Sequence, residues 1–453
     1  MGGRHRRRSR SSRANFAWAA FGSVAFQVCQ WLVLVTLARS IGDVAVGKFA
    51  FALAVTLPPL LLASLNTRIA LATDVRSRFR FLDYLILRLV ALLIATGGIT
   101  AVALLVCRTR SSALLIVLVA VARCFDWISD IIYGLLQKHE MMNRIGISRI
   151  LQGILQLAAI GLTAAVFDDL LAIAAAWAVT SAVVTLSYDL WSVVLVVRRY
   201  PAEMSRNGLE TEASRVRRLL IISLPLAGAR SVGGLIGNVP IYALQHWRSV
   251  REVGILAVQL RLVLAAGLCF GALADVATPR LAHYYAEWHA AFRRLAGRLL
   301  LVGAGNAVLI LLGAVLTGGR LLRLVYGPKF ADVGLAVLLA GSTGLNLLSL
   351  ALAAVAAAAH RYAISFRAAM AQLLVTSGVA VATTPHLGLT GAGLALLAGQ
   401  SCNAGLMALA VRRLMAGASQ ADGPTPIPPK VPIPRNASAA DTIEPVGTGA
   451  VGT

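Results

Sequence analysis

Runs of about 20 apolar residues recur along this chain, each long enough to cross the ~30 Å hydrocarbon core of a bilayer. They lie near 15–38, 45–65, 84–106, 113–136, 150–167 and 171–197, then near 219–245, 254–278, 299–317, 333–358, 368–386 and 389–411. A backbone inside lipid must satisfy its own hydrogen bonds, and helices of this length do so within one segment. The sequence therefore predicts an all-α integral membrane protein of about 12 transmembrane helices. Only 13% of the 453 residues are charged, against roughly a quarter in soluble domains.

The formal charge of +23 invites a nucleic-acid reading, but its distribution excludes one. With the N-terminus inside, about 29 Lys and Arg fall on cytoplasmic segments and about 9 on outer loops. That bias sets topology, and an even helix count then leaves both termini cytoplasmic. The expected location is the plasma (inner) membrane, multi-pass. The run from Phe16 to Ala38 exceeds a signal-peptide core of roughly 7–15 residues. It reads as a retained first helix behind a basic tail that can touch anionic headgroups. The five cysteines show no metal or redox spacing, and no cofactor is implied.

Polar stretches divide the chain into a basic cytoplasmic tail (1–14), a six-helix lobe (15–197), a cytoplasmic linker (198–218), a second six-helix lobe (219–412) and a Pro-rich tail (413–453) expected to be disordered. The halves look related. Val46-Gly47 aligns with Val253-Gly254, and Gln137-Lys138-His139 parallels the turn holding His360 and Arg361. Six helices per half is an even number, so the repeats share one orientation and a pseudo-twofold axis runs along the membrane normal. Tyr284, Trp288, Phe292 and Leu295, at helical spacing beside Arg293, Arg294 and Arg298, suit either an interfacial helix or a plain extension of a crossing one.

Ionisable groups inside spans are costly, about 2.5–3.5 kcal/mol each at a helix centre, and so point to pairing or to function. Arg123 and Asp126, three residues apart, can neutralise each other, and Asp130 can meet Arg88. The alternative role for Asp126 or Asp130 is uptake of a coupling proton or sodium ion. Arg230 and Arg261 lie at similar depth near the midplane on neighbouring helices, with Asp275 about 14 residues beyond Arg261, ~21 Å away. They need an anion or a wet cavity unless Asp126, Asp130 or Asp189 pairs with them or Arg261 reaches outward. Arginine's planar fork suits a phosphate oxygen. With Arg68 and Asn238 they form the candidate substrate-binding set. Pro225, Gly228, Gly233, Gly234, Gly237 and Pro240 predict a kinked or unwound span at 219–245, unless the glycines serve close packing. Gln27, Gln30, Gln152, Gln156, Asn306, Asn346, Gln400 and Asn403 suit a hydrated cavity or interhelical hydrogen bonds.

No HExxH, Walker A or GxSxG signature occurs, so the chain is not expected to be an enzyme. Three passages carry a family resemblance: Ile41-Gly42 with Gly47-Lys48-Phe49-Ala50, Leu324-Val325-Tyr326-Gly327-Pro328-Lys329-Phe330-Ala331-Asp332, and Gly388-Leu389-Thr390-Gly391-Ala392-Gly393. In order and spacing the chain resembles oligosaccharide flippases of the multidrug/oligosaccharidyl-lipid/polysaccharide exporter superfamily over roughly residues 15–412. The resemblance implies a V-shaped pair of lobes and movement of an isoprenoid-diphosphate-linked oligosaccharide from the inner to the outer leaflet by alternating access. The implied partners are that lipid-linked substrate, the bilayer and, at the cytoplasmic tails, polysaccharide synthesis proteins. The helices number about 12 where many relatives have 14, and no cationic residue matches the family's in the first helix.

A drug or cation antiporter of the same superfamily is the main alternative, kept open by Asp126 and Asp130. A membrane-bound polysaccharide polymerase would need a large outer loop, and the longest here, Arg320 to Asp332, has about a dozen residues. The glycine-bearing basic loop of a major-facilitator transporter is missing from Thr67 to Arg80. A scaffold would leave buried arginines without a purpose.

Overall fold

Fourteen α-helices follow one another in the computed structural model, which describes residues 2–74, 79–107, 109–201, 212–359 and 361–420. They are α1 (Gly2–Ser40), α2 (Asp43–Ala63), α3 (Thr67–Thr73), α4 (Phe81–Val106), α5 (Arg110–Lys138), α6 (Met142–Val166), α7 (Leu170–Val184), α8 (Leu190–Arg199), α9 (Glu212–Trp247), α10 (Val250–Glu287), α11 (His289–Tyr326), α12 (Val333–Ala358), α13 (Tyr362–Leu387) and α14 (Leu389–Gln420). α2 and α3 make one crossing, and α7 joins α8 through a π-helical turn at Thr185–Asp189, so fourteen helices form twelve rods. Among the described residues there is no strand. Nine rods are long and apolar enough to cross a membrane by length and composition. The other three, α5, α9 and α10, carry Arg123, Asp126, Asp130, Arg230 and Arg261.

Each of the twelve expected spans coincides with a rod, and the fold class is as the sequence predicts. Some boundaries differ. Helix α1 begins at Gly2, inside the expected basic tail, and α9 begins at Glu212, inside the expected linker. Helices α10 and α11 are each 38 residues long, and only Trp288 separates them. The aromatic stretch is thus an extension of two crossing helices, not a separate interfacial one. Phe292 is buried there against Tyr285, their ring centroids 5.1 Å apart. Asn207, Gly208, His360 and the tail from 421 onward lie outside the described residues, as does the Asp275 side chain.

The two halves repeat one packing plan. α1 packs on α6 as α9 packs on α13, and α4 lies on α5 as α11 lies on α12. Likewise α2–α5, α5–α7 and α6–α7 recur as α10–α12, α12–α14 and α13–α14. Even the turns agree. The Met141 amide donates to the Leu136 carbonyl at 2.8 Å, and the Arg361 amide to the Ala356 carbonyl at 2.9 Å. Lipid offers no hydrophobic drive between helices, so close backbone approach at small residues does much of the holding. At the α1–α6 crossing Gly22 and Gly146 face each other, and a β-carbon on Gly22 would lie 2.4 Å from the Gly146 carbonyl oxygen.

Because consecutive rods run antiparallel, the α1–α2, α4–α5, α6–α7, α9–α10, α11–α12 and α13–α14 turns gather at one end, the distal end. The described termini lie at the other. Three distal turns hinge on glycines with positive φ, Gly42 (96°), Gly327 (99°) and Gly388 (55°), conformations that cost an L side chain on the order of 1–3 kcal/mol. All three belong to the passages that carry the family resemblance.

At the distal end the lobes touch. Gly254 of α10 packs on the Asp43 carbonyl and on Gly47 of α2, while Arg251 Nε lies 2.7 Å from Asp43 Oδ2. The Arg39 guanidinium donates to the Leu324 and Val325 carbonyls. On one flank α9 lies along α2, with Gly234 against Leu61. It is tied to α4 near the terminal end by Arg215 and Asp83, 3.3 Å apart.

Candidate functional site

Between the lobes lies a cleft made of two adjoining cavities that share Arg123. The upper one, of about 330 Å³, is lined by α1, α2, α5, α7, α9 and α10, with Gln30, Arg123, Trp177, Asn238 and Arg261 as its polar and aromatic groups. The lower one, of about 500 Å³, is lined by Arg68, Arg123, Asp126, Trp127, Asp130, Gln137, Arg149 and Arg230. Every candidate site residue read from the sequence therefore faces this cleft. Among the described residues five guanidiniums meet two carboxylates there.

The carboxylates are occupied differently. Asp130 is bound by Arg68 at 3.0 Å and by Arg88 at 3.4 Å. Arg88 is fully buried, donates to Thr67 Oγ1 at 3.1 Å and lies over the Trp127 ring. This cluster is an ion-paired unit that keeps an excess of one positive charge, and Asp130 meets Arg88 as the helix spacing suggested. Asp126 makes no ion pair among the described residues. Gln152 Nε2 and Ser181 Oγ donate to its Oδ1, the latter at 3.1 Å, and a relay continues from Gln156 to Ser181 (2.9 Å) and from Gln30 to Gln156.

Arg123 and Asp126 thus do not form the expected pair. The Arg123 guanidinium sits over the Trp177 ring, 5.5 Å from its centroid, and its buried Nε has no hydrogen-bond partner. Arg230 and Arg261 are not brought together either: Arg230 donates to Asn66 Oδ1 beside the lower cavity, whereas Arg261 lines the upper one. Counted from the distal turn the two helices share, Arg230 lies 17 residues back from Trp247 and Arg261 11 residues on from Val250, so they differ in depth by about 9 Å. Arg261 shares the upper cavity with Arg123 and makes no hydrogen bond or ion pair among the described residues.

Nor is α9 unwound. It runs without interruption from Glu212 to Trp247, and its Gly234 serves close packing. The break falls instead between α2 and α3, where Leu65 (φ 45°) and Asn66 (φ 49°) turn left-handed. It presents Asn66 to Arg230, Thr67 to Arg88 and Arg68 to Asp130. Sequence reasoning passed over Arg149, which appeared to precede its span. Because α6 begins at Met142, Arg149 lies about two turns in, stacked over Phe26 and Tyr133. Of the neutral polar residues, Gln30 and Asn238 line the cleft, while Gln152, Gln156, Asn346 and Gln400 hold helices together.

The interiors of the lobes are also related. In the second lobe Gln372 donates to Gln400 at 2.6 Å, and Gln400 donates to Asn346 and Ser349. These residues correspond by position to those of the first lobe, Gln372 to Gln152, Asn346 to Asp126 and Ser349 to Ser129. The first lobe holds a carboxylate where the second holds an amide.

Twelve helical rods in two like lobes around a charged cleft are an architecture known from solved structures. Two solved structures share it: the lipid II flippase MurJ in an inward closed conformation (TM-score 0.69, 10% identity, 89% of this chain and 90% of that one) and an inward-facing multidrug resistance MATE family transporter (TM-score 0.61, 15% identity, 89% and 96%). An outward-facing MATE transporter fits with the same TM-score of 0.61 at 14% identity, over 91% of this chain and 97% of that one. Residues 12–285 match the polysaccharide biosynthesis protein family, and the chain belongs to it. The capsular polysaccharide biosynthesis protein CapF of Staphylococcus aureus is 22% identical over 396 residues, 85% of this chain and 96% of that protein.

Proposed function

We infer that this protein moves an isoprenoid-diphosphate-linked oligosaccharide across the plasma membrane, from the cytoplasmic to the outer leaflet, for cell-surface polysaccharide assembly. The observation that carries this reading is the surplus of guanidinium groups in the cleft. Asp130 offsets only one of the two charges of Arg68 and Arg88, and Arg230 is held by Asn66. Arg123, Arg149 and Arg261 keep donors for a ligand, with Asp126 the one carboxylate beside them. A diphosphate supplies the acceptors these forks require, in a site where low dielectric strengthens each contact.

The capsular relative supports the glycan class, and the lipid II flippase supports the idea that this fold can pass a lipid-linked headgroup between lobes. In this reading the lobes, joined distally by Gly47, Gly254 and the Asp43–Arg251 pair, rock apart to release the headgroup outward. A second reading, an ion-coupled drug or cation antiporter, is favoured by Asp126, a carboxylate without a cationic partner that faces the cleft.

The deciding experiment is reconstitution in liposomes with a fluorescent undecaprenyl-diphosphate oligosaccharide, following its arrival in the opposite leaflet. Movement by the wild type that is lost in Arg123→Ala and Arg261→Ala is the expected result. Absence of movement, with a cationic drug transported instead, would replace this reading with the antiporter.

A further inference from the structure

A second polar cavity lies away from the cleft, between the lobes at the distal end. It measures about 700 Å³, within the ~300–1,000 Å³ range of small-ligand sites. Residues near the ends of five helices, α2, α4, α5, α9 and α10, build it. Lys48 comes from α2 and Ser112 from α5, with Thr109 capping α5, while Tyr242, Gln245 and His246 come from the end of α9. No carboxylate lines it among the described residues.

Two unmet demands define what would fit. Lys48 is exposed to the cavity and has no hydrogen bond or ion pair among the described residues, so it lacks an anionic acceptor. Gln245 Oε1 is buried with no donor. An acceptor-only ion such as an unprotonated phosphate answers the first demand and not the second. A ligand carrying both a carboxylate and hydroxyl groups answers both. The Thr109 and Ser112 hydroxyls, 2.8 Å apart, add a paired donor and acceptor. Phe51 and Tyr242, edge to face at 6.5 Å, form an apolar wall suited to the C–H face of a pyranose.

We propose that this distal cavity is a binding site for an acidic sugar, a hexuronate unit. Lys48 takes the carboxylate, Gln245 accepts a ring hydroxyl, and Phe51 with Tyr242 supports the ring. The site's place in the molecule rests on the flippase reading, in which it would receive the glycan of the released lipid on the outer side. The binding itself does not depend on transport.

The test uses the full chain in lipid nanodiscs with methyl glucuronide as probe, methyl glucoside and inorganic phosphate as comparisons, and saturation-transfer NMR with fluorescence of the neighbouring Trp247 as readouts. Saturable glucuronide binding at least fivefold tighter than glucoside is expected. Lys48→Gln should abolish that preference, Lys48→Arg should restore most of it, and Gln245→Leu should weaken both sugars. No glucuronide binding, equal binding of phosphate, or binding indifferent to Lys48→Gln and Gln245→Leu overturns the proposal. No lipid-linked substrate is in the assay, so a failed flipping experiment and a failed saccharide titration remain separate results.

Discussion

A β-carbon built on Gly254 would stand 2.9 Å from the backbone nitrogen of Gly47, so these two glycines of opposite lobes are in backbone contact. They are also the pair that aligns when the halves are compared as sequences. Equivalent positions in two repeats can touch each other only near the axis that relates them. The contact therefore marks the pseudo-twofold axis at the distal end.

Valine at position 47 should pry that end open. The new β-carbon would lie 1.8 Å from the Val250 carbonyl oxygen, an overlap that side-chain adjustment cannot relieve. Spin labels at the exposed positions Ser111 and Arg320, read by pulsed EPR, should show a distance distribution several ångström longer in Gly47→Val. An unchanged distribution would mean the distal contact does not set the resting arrangement.

Removing single arginines should separate ligand contacts from scaffold. A charge-assisted hydrogen bond is worth about 1.5–3 kcal/mol, so Arg123→Ala and Arg261→Ala should each weaken binding of farnesyl diphosphate by roughly 10–100-fold. Arg261→Lys should recover only part, since the ammonium cannot present two parallel donors. Isothermal titration in nanodiscs gives the comparison, and wild-type affinity in both alanine variants would remove them from the site.

Asp130→Ala should act on stability instead. It leaves the fully buried Arg88 without its carboxylate partner, and stranding one member of a buried pair costs roughly 3–5 kcal/mol. A lower melting temperature in detergent, or failure to accumulate, is expected. Asp130→Ala together with Arg88→Met should melt higher than Asp130→Ala alone, because it removes the stranded charge.

Asp126→Asn gives the first lobe the polar interior that the second already has at Asn346. Gln152 and Ser181 can still bond its side-chain oxygen, so folding should survive. If Asp126 carries a coupling ion, the variant's flipping rate becomes insensitive to imposed proton or sodium gradients while the ungated rate persists. Retained gradient dependence would move the coupling site elsewhere.

The twelve rods were readable because apolar length is a one-dimensional signal. The glycine turns were readable because few other residues accept positive φ. Contacts between charges were harder. Spacing correctly placed Asp130 near Arg88, but it could not show which way Arg123 turns, and Trp177 draws it away from Asp126. The left-handed break at Leu65 and Asn66 had no glycine to announce it, whereas the glycines of α9, which did suggest a break, sit in an unbroken helix where Gly234 alone packs closely. That Arg68, Arg230, Arg261, Asn238, Asp126 and Asp130 would need polar surroundings was legible, and the cleft they line supplies them. Their partners were not, since these depend on helix rotation and neighbours from distant sequence.

Gly388 alone joins α13 to α14, and this limits how the chain can change length. One inserted residue there would turn α14 by about 100° and advance it ~1.5 Å. That would swing Gln400 off Gln372 and turn apolar surface into the core. The two-residue connections at Ile41–Gly42 and Arg248–Ser249 are under the same geometric restraint. Insertions, fusions and reporter tags should therefore be tolerated at the terminal end, beyond α14 or between α8 and α9, and rejected at these distal turns.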